Sequence, residues 1–313
     1  MEIAKDPNVS IVLPGCNANC AFCFINYNKA VVAAGWLEQL ERNLNALPKD
    51  FWQISITGGE PLISKHLVNV LNVIDRSRWK KVVLTTNALS LDEEVAGRLR
   101  GKVDHVNISR YSSSNSVNVN VFGVYLMPTD AQLRRYISIL NIHGIDVTFN
   151  CVLRPCGLDE YGRAGGVYRY IAWARGLGAQ AVSFRKQQTD GGDLEPTAEE
   201  KAFTHHKVIN ETRCPVCRSK TQLINGMKVI WKAALHHRDT VLPDKVHELI
   251  WQPSGEFTLD WGGKFPLMKA LLRDNDIRLR LDLGVTKGSP VDGVTIKGRP
   301  HSPREIIVWE WPI

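Results

Sequence analysis

Six short runs of apolar and β-branched residues recur over the first 186 positions, at 9–13, 51–57, 81–86, 103–109, 146–153 and 181–185. Between them the pattern changes period. Segments 31–45, 64–76, 92–100, 130–143 and 168–176 read as helices, with Asp92 and Asp130 as N-caps and Gly144 and Gly178 as stops. Such alternation builds parallel βαβ units, because a parallel neighbour needs a crossover long enough to hold a helix. The expected fold class is therefore α/β. Six strands are too few for a closed eight-stranded barrel, so the expectation is an open, partial (β/α)6 barrel of TIM type with a smaller C-terminal extension.

The alternation stops after Lys186. The stretch QQTDGGDLEPTAEEK is rich in Gly, Pro and acidic residues and marks a boundary near 190. That gives a barrel region, 1–190, and an accessory, substrate-side region, 191–313. The second region offers a hairpin turn at Asn225-Gly226, a turn at Pro253-Ser254-Gly255, an alternating run at 256–261 and an amphipathic segment at 265–273. Of the net charge of +7, the stretch 262–304 carries nine Lys or Arg against four Asp. Trp231, Trp251, Trp261, Trp309 and Trp311 are interleaved with it, a mixture that suits a nucleotide or single-stranded nucleic acid as well as a plain apolar lid. A composition of 44% hydrophobic and 23% charged residues excludes disordered and collagen-like chains. No run approaches the roughly 18 apolar residues of a membrane span. The opening MEIAKDPNVS lacks an apolar secretory core, so the expected compartment is cytoplasmic, with no membrane partner.

Seven cysteines, at 16, 20, 23, 151, 156, 214 and 217, are too few and too uneven for an extracellular disulfide framework. Three of them crowd one loop directly after the first strand, Pro14-Gly15-Cys16-Asn17-Ala18-Asn19-Cys20-Ala21-Phe22-Cys23. Three thiolates suit a [4Fe–4S] cluster with one iron left for another ligand, whereas structural zinc normally takes four protein ligands. Two readings stay open on the residues alone. One is a cluster-dependent enzyme; the other is a zinc-binding, nucleic-acid-associated module in which the triplet is structural.

The run CNANCAFC resembles the CxxxCxxC signature of the radical S-adenosylmethionine (SAM) superfamily. The resemblance implies that Cys16, Cys20 and Cys23 hold the cluster and that its open iron binds SAM. Reduction of SAM would then release a 5′-deoxyadenosyl radical that abstracts hydrogen from a substrate, with electrons from a donor such as flavodoxin or ferredoxin. Thr57-Gly58-Gly59-Glu60-Pro61 ends the second strand, where glycines admit close backbone approach; it is similar to the superfamily's GGEP motif and gives Gly58, Gly59 and Glu60 a SAM-binding role. Thr85-Thr86-Asn87-Ala88 resembles a TNG-like turn near SAM, with Ala88 in place of the usual glycine. Ser109 at the end of the fourth strand is similar to a SAM-contacting serine, and Arg110 follows it where relatives often have an acid. Arg110 is a candidate for the SAM carboxylate, Asn150 for the ribose hydroxyls and Arg185 for a carboxylate or the substrate. The resemblance covers about 9–186.

Cys214-Pro215-Val216-Cys217 has the spacing of a metal knuckle. It resembles the cysteines of auxiliary iron–sulfur clusters in some superfamily members, with Cys156 as a third candidate ligand for iron–sulfur or zinc. Strand alternation places Cys151 on the helix-facing side if Asn150 faces inward. The substrate is expected to be a nucleotide or nucleic-acid base, or a peptide side chain.

Overall fold

The structure, a computed structural model, describes residues 2–20, 22–23, 30–47, 51–153, 163–186, 198–211, 219–232 and 245–263. Six strands lie side by side in chain order, each parallel to the next: β1 (Glu2–Leu13), β2 (Gln53–Gly58), β3 (Lys81–Thr86), β4 (His105–Ser109), β5 (Asp146–Leu153) and β6 (Ala181–Lys186). The intervening helices are α1 (Trp36–Ala46), α2 (Leu67–Val73), α3 (Glu93–Arg98), α4 (Asn115–Phe122), α5 (Asp130–Ile142) and α6 (Arg163–Gly176). After a short α7 (Ala198–Lys201), β7 (Val208–Glu211), β8 (Lys220–Ile224) and β9 (Met227–Lys232) form an antiparallel meander. The Asn225-Gly226 turn joins the last two, with both residues at positive φ (50° and 78°).

The segment after 190 extends the sheet at both ends. β9 pairs parallel with β6, while β10 (Lys245–Trp251) pairs parallel with β1 and carries β11 (Phe257–Thr258) antiparallel on its far side. Eight strands thus run parallel, β10-β1-β2-β3-β4-β5-β6-β9, within an eleven-stranded sheet whose ends are β11 and β7. The sheet is not closed, and the fold is α/β with an open parallel sheet.

Register divides the strands into two faces. Val9, Ile11, Leu13, Ile54, Ile56, Val82, Leu84, Phe149 and Phe184 are fully buried in one apolar cluster that includes Leu40, Val70, Leu133, Ile137 and Ile171 from the helices. The opposite face is polar: Ser55, Thr85, His105, Asn107, Ser109, Asn150, Ser183 and Arg185 alternate with those core positions. Cys151 is buried in the apolar cluster, on the side that alternation from Asn150 assigns to it.

Local differences from the sequence expectation have physical causes. Asp92 caps α3 by accepting from the Val95 N–H, whereas α5 is capped one residue earlier than Asp130. There Thr129 and Gln132 form a reciprocal capping box that satisfies two otherwise unpaired donors. Helix α1 begins at Trp36 rather than 31, after Gly35 in the left-handed region (φ 67°). Helix α4 has no helical period, because its Asn/Val run alternates. Tertiary context overrides this: the fully buried Asn118 amide accepts from the N–H groups of Tyr111 and Ser112 and donates to the carbonyls of Ser112 and Ser114. The 256–261 run contributes only the two-residue β11.

Candidate functional site

The carboxyl ends of β1 to β4 meet at one place, and backbone geometry makes them meet. Gly59 N–H donates to the Leu13 carbonyl (2.9 Å) and Glu60 N–H to the Gly15 carbonyl (2.7 Å), so the GGEP turn lies flat on the entry to the cysteine loop. Gly58 has φ 125°, and a Cβ there would lie 2.3 Å from the Leu13 oxygen. A Cβ on Gly59 would lie 1.8 Å from the Gly15 oxygen. No side chain fits at either position. The far side of the loop is held by α4, where the Asn19 N–H donates to the Phe122 carbonyl (2.7 Å). Phe22, preceding Cys23, meets the Tyr111 ring edge-on at 5.0 Å, and Tyr111 packs on Phe122 at 4.9 Å.

Cys16 and Cys20 are half-buried and Cys23 is exposed. The Cys23 N–H donates to the Cys20 carbonyl (3.0 Å), closing a turn between them. Burial, with Glu60 and Cys23 nearby, raises the Cys16 pKa above the ordinary thiol value. Among the described residues no group of three His, Cys, Asp or Glu side chains closes on a single metal ion.

Glu60 is 1% exposed and its carboxylate is heavily used. Oε1 accepts from Thr86 Oγ1 (2.5 Å) and Leu62 N–H (3.0 Å), and Oε2 accepts from Asn87 N–H (2.6 Å). Burial pushes its pKa up, and these three hydrogen bonds offset part of that. Asn87 carries the connection onward: its Nδ2 donates to Asn17 Oδ1 (2.8 Å), and its carbonyl accepts from Arg110 Nη1 (2.6 Å). One chain of bonds therefore links the cysteine loop, β2, β3 and β4. Asn17 and Thr86 are members that the sequence motifs did not single out.

Arg110 is fully buried, and burial pulls its pKa down to about 10, still far above neutrality. Nη1 also donates to the Ser109 carbonyl (2.8 Å), but Nε and Nη2 have no partner among the described residues. Asn150 sits level with Ser109 on one side and Ser183 on the other; its Oδ1 is likewise buried and unpartnered among the described residues. An unsatisfied buried guanidinium costs several kcal/mol unless a ligand completes it. Orphaned donors at the end of β4 and an orphaned acceptor on β5 suit an amino-acid carboxylate and sugar hydroxyls. Arg185, ending the core of β6, is half-buried and lies level with Lys232 of β9.

Comparison with known proteins points to a family. The profile of the Radical SAM superfamily matches residues 10–155, a span that contains the triplet, GGEP, Asn87, Ser109, Arg110 and Asn150. Residues 10–155 thus carry a radical SAM superfamily domain, which supports reading the chain as a radical SAM enzyme. The chain is 32% identical over 124 residues to a GTP 3′,8-cyclase of Corynebacterium glutamicum (strain R), covering 34% of the chain and 31% of that protein. It is 23% identical over 174 residues to a probable GTP 3′,8-cyclase of Saccharolobus islandicus (strain Y.N.15.51 / Yellowstone #2), covering 53% and 52%. The match thus spans about a third to a half of the length of these relatives. Among solved structures, Streptococcus suis SuiB bound to the precursor peptide SuiA is similar with a TM-score of 0.48 and 19% identity, over 59% of this chain and 40% of that one.

Cys156, Cys214 and Cys217 lie outside the described residues, as do His236, His237 and the basic tail. His205 and His206 are described: they pack on each other at 4.2 Å and on Phe203, and His206 Nε2 lies 3.2 Å from the Tyr168 hydroxyl. No helix among the described residues is long and apolar enough to cross a membrane.

Proposed function

We propose that this radical SAM chain cleaves SAM reductively and passes the radical to an anionic, nucleotide-type substrate held on the polar face of the sheet. The observation that carries the reading is the flat seating of GGEP on the cysteine loop, with neither Gly58 nor Gly59 able to accept a side chain. That seating brings two chemically distinct motifs to one point. Cys16, Cys20 and Cys23 would hold the [4Fe–4S] cluster, which when bound supplies the electron that splits the SAM sulfonium.

In this reading the chain's own residues bind and orient. Gly58 and Gly59 offer backbone for the ammonium end of SAM. The Glu60 carboxylate fixes the β2 and β3 turns through Thr86, Leu62 and Asn87 and presents its remaining acceptor capacity to that ammonium. Arg110 Nε and Nη2 take the carboxylate, Ser109 borders it, and Asn150 Oδ1 takes ribose hydroxyls. Asn87 holds the cysteine loop to β3 and positions Arg110. A flavodoxin- or ferredoxin-type donor would supply electrons. Similarity to GTP 3′,8-cyclases favours a nucleotide over a peptide side chain as substrate. Cys156, Cys214 and Cys217 remain candidates for an auxiliary iron–sulfur or zinc site.

The test is iron, sulfide and zinc per chain after anaerobic reconstitution, with 5′-deoxyadenosine measured after adding dithionite and SAM. About four irons with deoxyadenosine is the expected result, and about eight would add an auxiliary cubane. Zinc without deoxyadenosine would overturn the reading in favour of a structural metal module.

A further inference from the structure

The loop around Cys16 is tied down at alternate residues to three different elements. The Gly15 carbonyl accepts from the Glu60 N–H of the β2 turn (2.7 Å), and the Asn19 N–H donates to the Phe122 carbonyl at the end of α4 (2.7 Å). Between them, Asn17 reaches the turn after β3. Its Oδ1 accepts from Asn87 Nδ2 (2.8 Å) and its Nδ2 donates to Ser90 Oγ (3.1 Å). The outer two ties are made by backbone, so they do not depend on which side chains the loop carries. Of the three, Asn17 makes its tie with a side chain, and both ends of its amide are engaged although the residue is exposed. Its partner is held just as firmly. Asn87 is buried; its N–H donates to Glu60 Oε2 (2.6 Å), its Oδ1 accepts from the Leu89 N–H (2.9 Å) and its carbonyl accepts from Arg110 Nη1 (2.6 Å). A shift of Asn17 against β3 is therefore a shift of the cysteine loop against Glu60 and Arg110.

We infer that Asn17 is a positioning residue that sets where the cysteine loop stands relative to the Glu60–Arg110 end of the SAM site. The inference rests on the proposed reading of the triplet as a cluster loop and of Glu60 and Arg110 as SAM contacts. It adds that iron content and SAM affinity are separable in this chain. Iron depends on the three thiols, while SAM must span from the loop to Arg110 and so depends on the distance that Asn17 holds. The chemistry of the amide defines the substitutions that separate these properties. Alanine removes both ties. Aspartate keeps an acceptor for Asn87 Nδ2, and the Ser90 hydroxyl can turn to donate to its second oxygen, so both ties survive. Ser90→Ala removes the outer tie and leaves the one to Asn87.

The experiment compares anaerobically reconstituted full-length wild type, Asn17→Ala, Asn17→Asp and Ser90→Ala. It measures iron per chain, the electron paramagnetic resonance spectrum of the dithionite-reduced protein without and with SAM, and the SAM Kd from titration of that spectral change. Asn17→Ala is expected to keep wild-type iron and the wild-type spectrum without SAM, but to weaken SAM binding about tenfold. Ser90→Ala should weaken it about threefold, and Asn17→Asp should recover most of the alanine loss. SAM affinity within twofold of wild type in Asn17→Ala would overturn the inference. Loss of iron in step with loss of SAM binding would also overturn it, by making Asn17 a determinant of cluster retention instead. If Asn17→Ala does not fold, Ser90→Ala carries the same test: weakened SAM binding at wild-type iron supports the inference, and unchanged binding overturns it. Wild type decides the underlying reading separately. A wild-type protein that holds no iron, or whose spectrum does not respond to SAM, would sink the reading of the site and the inference with it.

Discussion

Gly59→Ala tests whether the contact between GGEP and the cysteine loop is as tight as the geometry requires. The added Cβ would sit 1.8 Å from the Gly15 oxygen and 2.5 Å from its carbonyl carbon, both backbone atoms that no rotamer change can move. Ordinary contact needs the loop to retreat by ~1.5 Å. That retreat breaks the Glu60 N–H to Gly15 and Gly59 N–H to Leu13 hydrogen bonds. Overpacking of about 1–3 kcal/mol and two bonds of about 1 kcal/mol each put the destabilisation at roughly 3–5 kcal/mol, a fall in Tm of about 6–10 °C. The Cys16 N–H, 3.2 Å from the same Cβ, moves with the loop. A misplacement of this size costs on the order of 100-fold in rate. The assays are thermal melting and anaerobic deoxyadenosine formation. Gly97→Ala is the control, because nothing lies within 4 Å of its Cβ and it sits inside α3, where Ala is favoured by about 0.5–1 kcal/mol. A Gly59→Ala protein with wild-type Tm and a rate within twofold of wild type would refute the packing argument.

Other substitutions probe separate links. Cys20→Ala should abolish deoxyadenosine formation while leaving the far-ultraviolet circular dichroism spectrum unchanged; surviving cleavage would remove the triplet from the mechanism. Glu60→Gln replaces one acceptor oxygen with a donor, which then faces either the Asn87 N–H or the Thr86 and Leu62 donors, at a cost of about 1–3 kcal/mol in denaturant unfolding. Because the folded Glu60 pKa is raised, the native state holds its proton more tightly than the unfolded chain, so this contribution is lost as pH rises through the raised value, and the variant should lack that slope. His105 acts in the opposite sense. Burial, aided by Lys81 and Lys232, depresses its pKa to about 4, so the unfolded chain binds more protons between about pH 4 and 6.5 and stability is lost as pH falls through that window, by up to about 3 kcal/mol. His105→Asn should flatten the difference, and an unchanged acid limb would show that the imidazole is not buried as described.

The two features that placed the site were legible because each is local. Alternation of strand and helix, and cysteine spacing on a loop after a strand, are written within a few residues of where they act. The order β1 to β6 and the position of GGEP at the end of β2 needed nothing more. What was not legible depends on partners distant in the chain. The Asn/Val run of α4 has no helical period, and it is the contacts of Asn118 with Ser112 and Ser114 that account for its helix. The parallel attachment of β9 to β6 and of β10 to β1 leaves no mark in either segment. Ala88 illustrates a third case. It departs from the glycine of a TNG-like turn, yet the structure gives it φ 57°, the left-handed conformation that glycine adopts without strain. The departure is in the side chain and not in the backbone, so the turn that lets Asn87 reach Glu60 and Asn17 survives it.

The same distinction bears on how substrate choice is encoded in this chain. The residues proposed to bind SAM lie on β1 to β5, within the span that the superfamily profile matches, and at Gly58 and Gly59 the backbone contacts tolerate no side chain. Lys228 and Lys232 come from a hairpin after residue 190, which docks on β6 through a ladder in which any sequence of suitable alternation would pair. Core positions Val229 and Trp231 anchor that hairpin, while Lys228, Ile230 and Lys232 alternate with them on the other face. Charge on the polar face of β9 is therefore carried by a segment separate from the residues proposed to bind SAM. Reversing that charge with Lys232→Glu is expected to leave deoxyadenosine formation without substrate within twofold of wild type, and a larger loss would show that β9 is coupled to the β1–β4 end of the sheet.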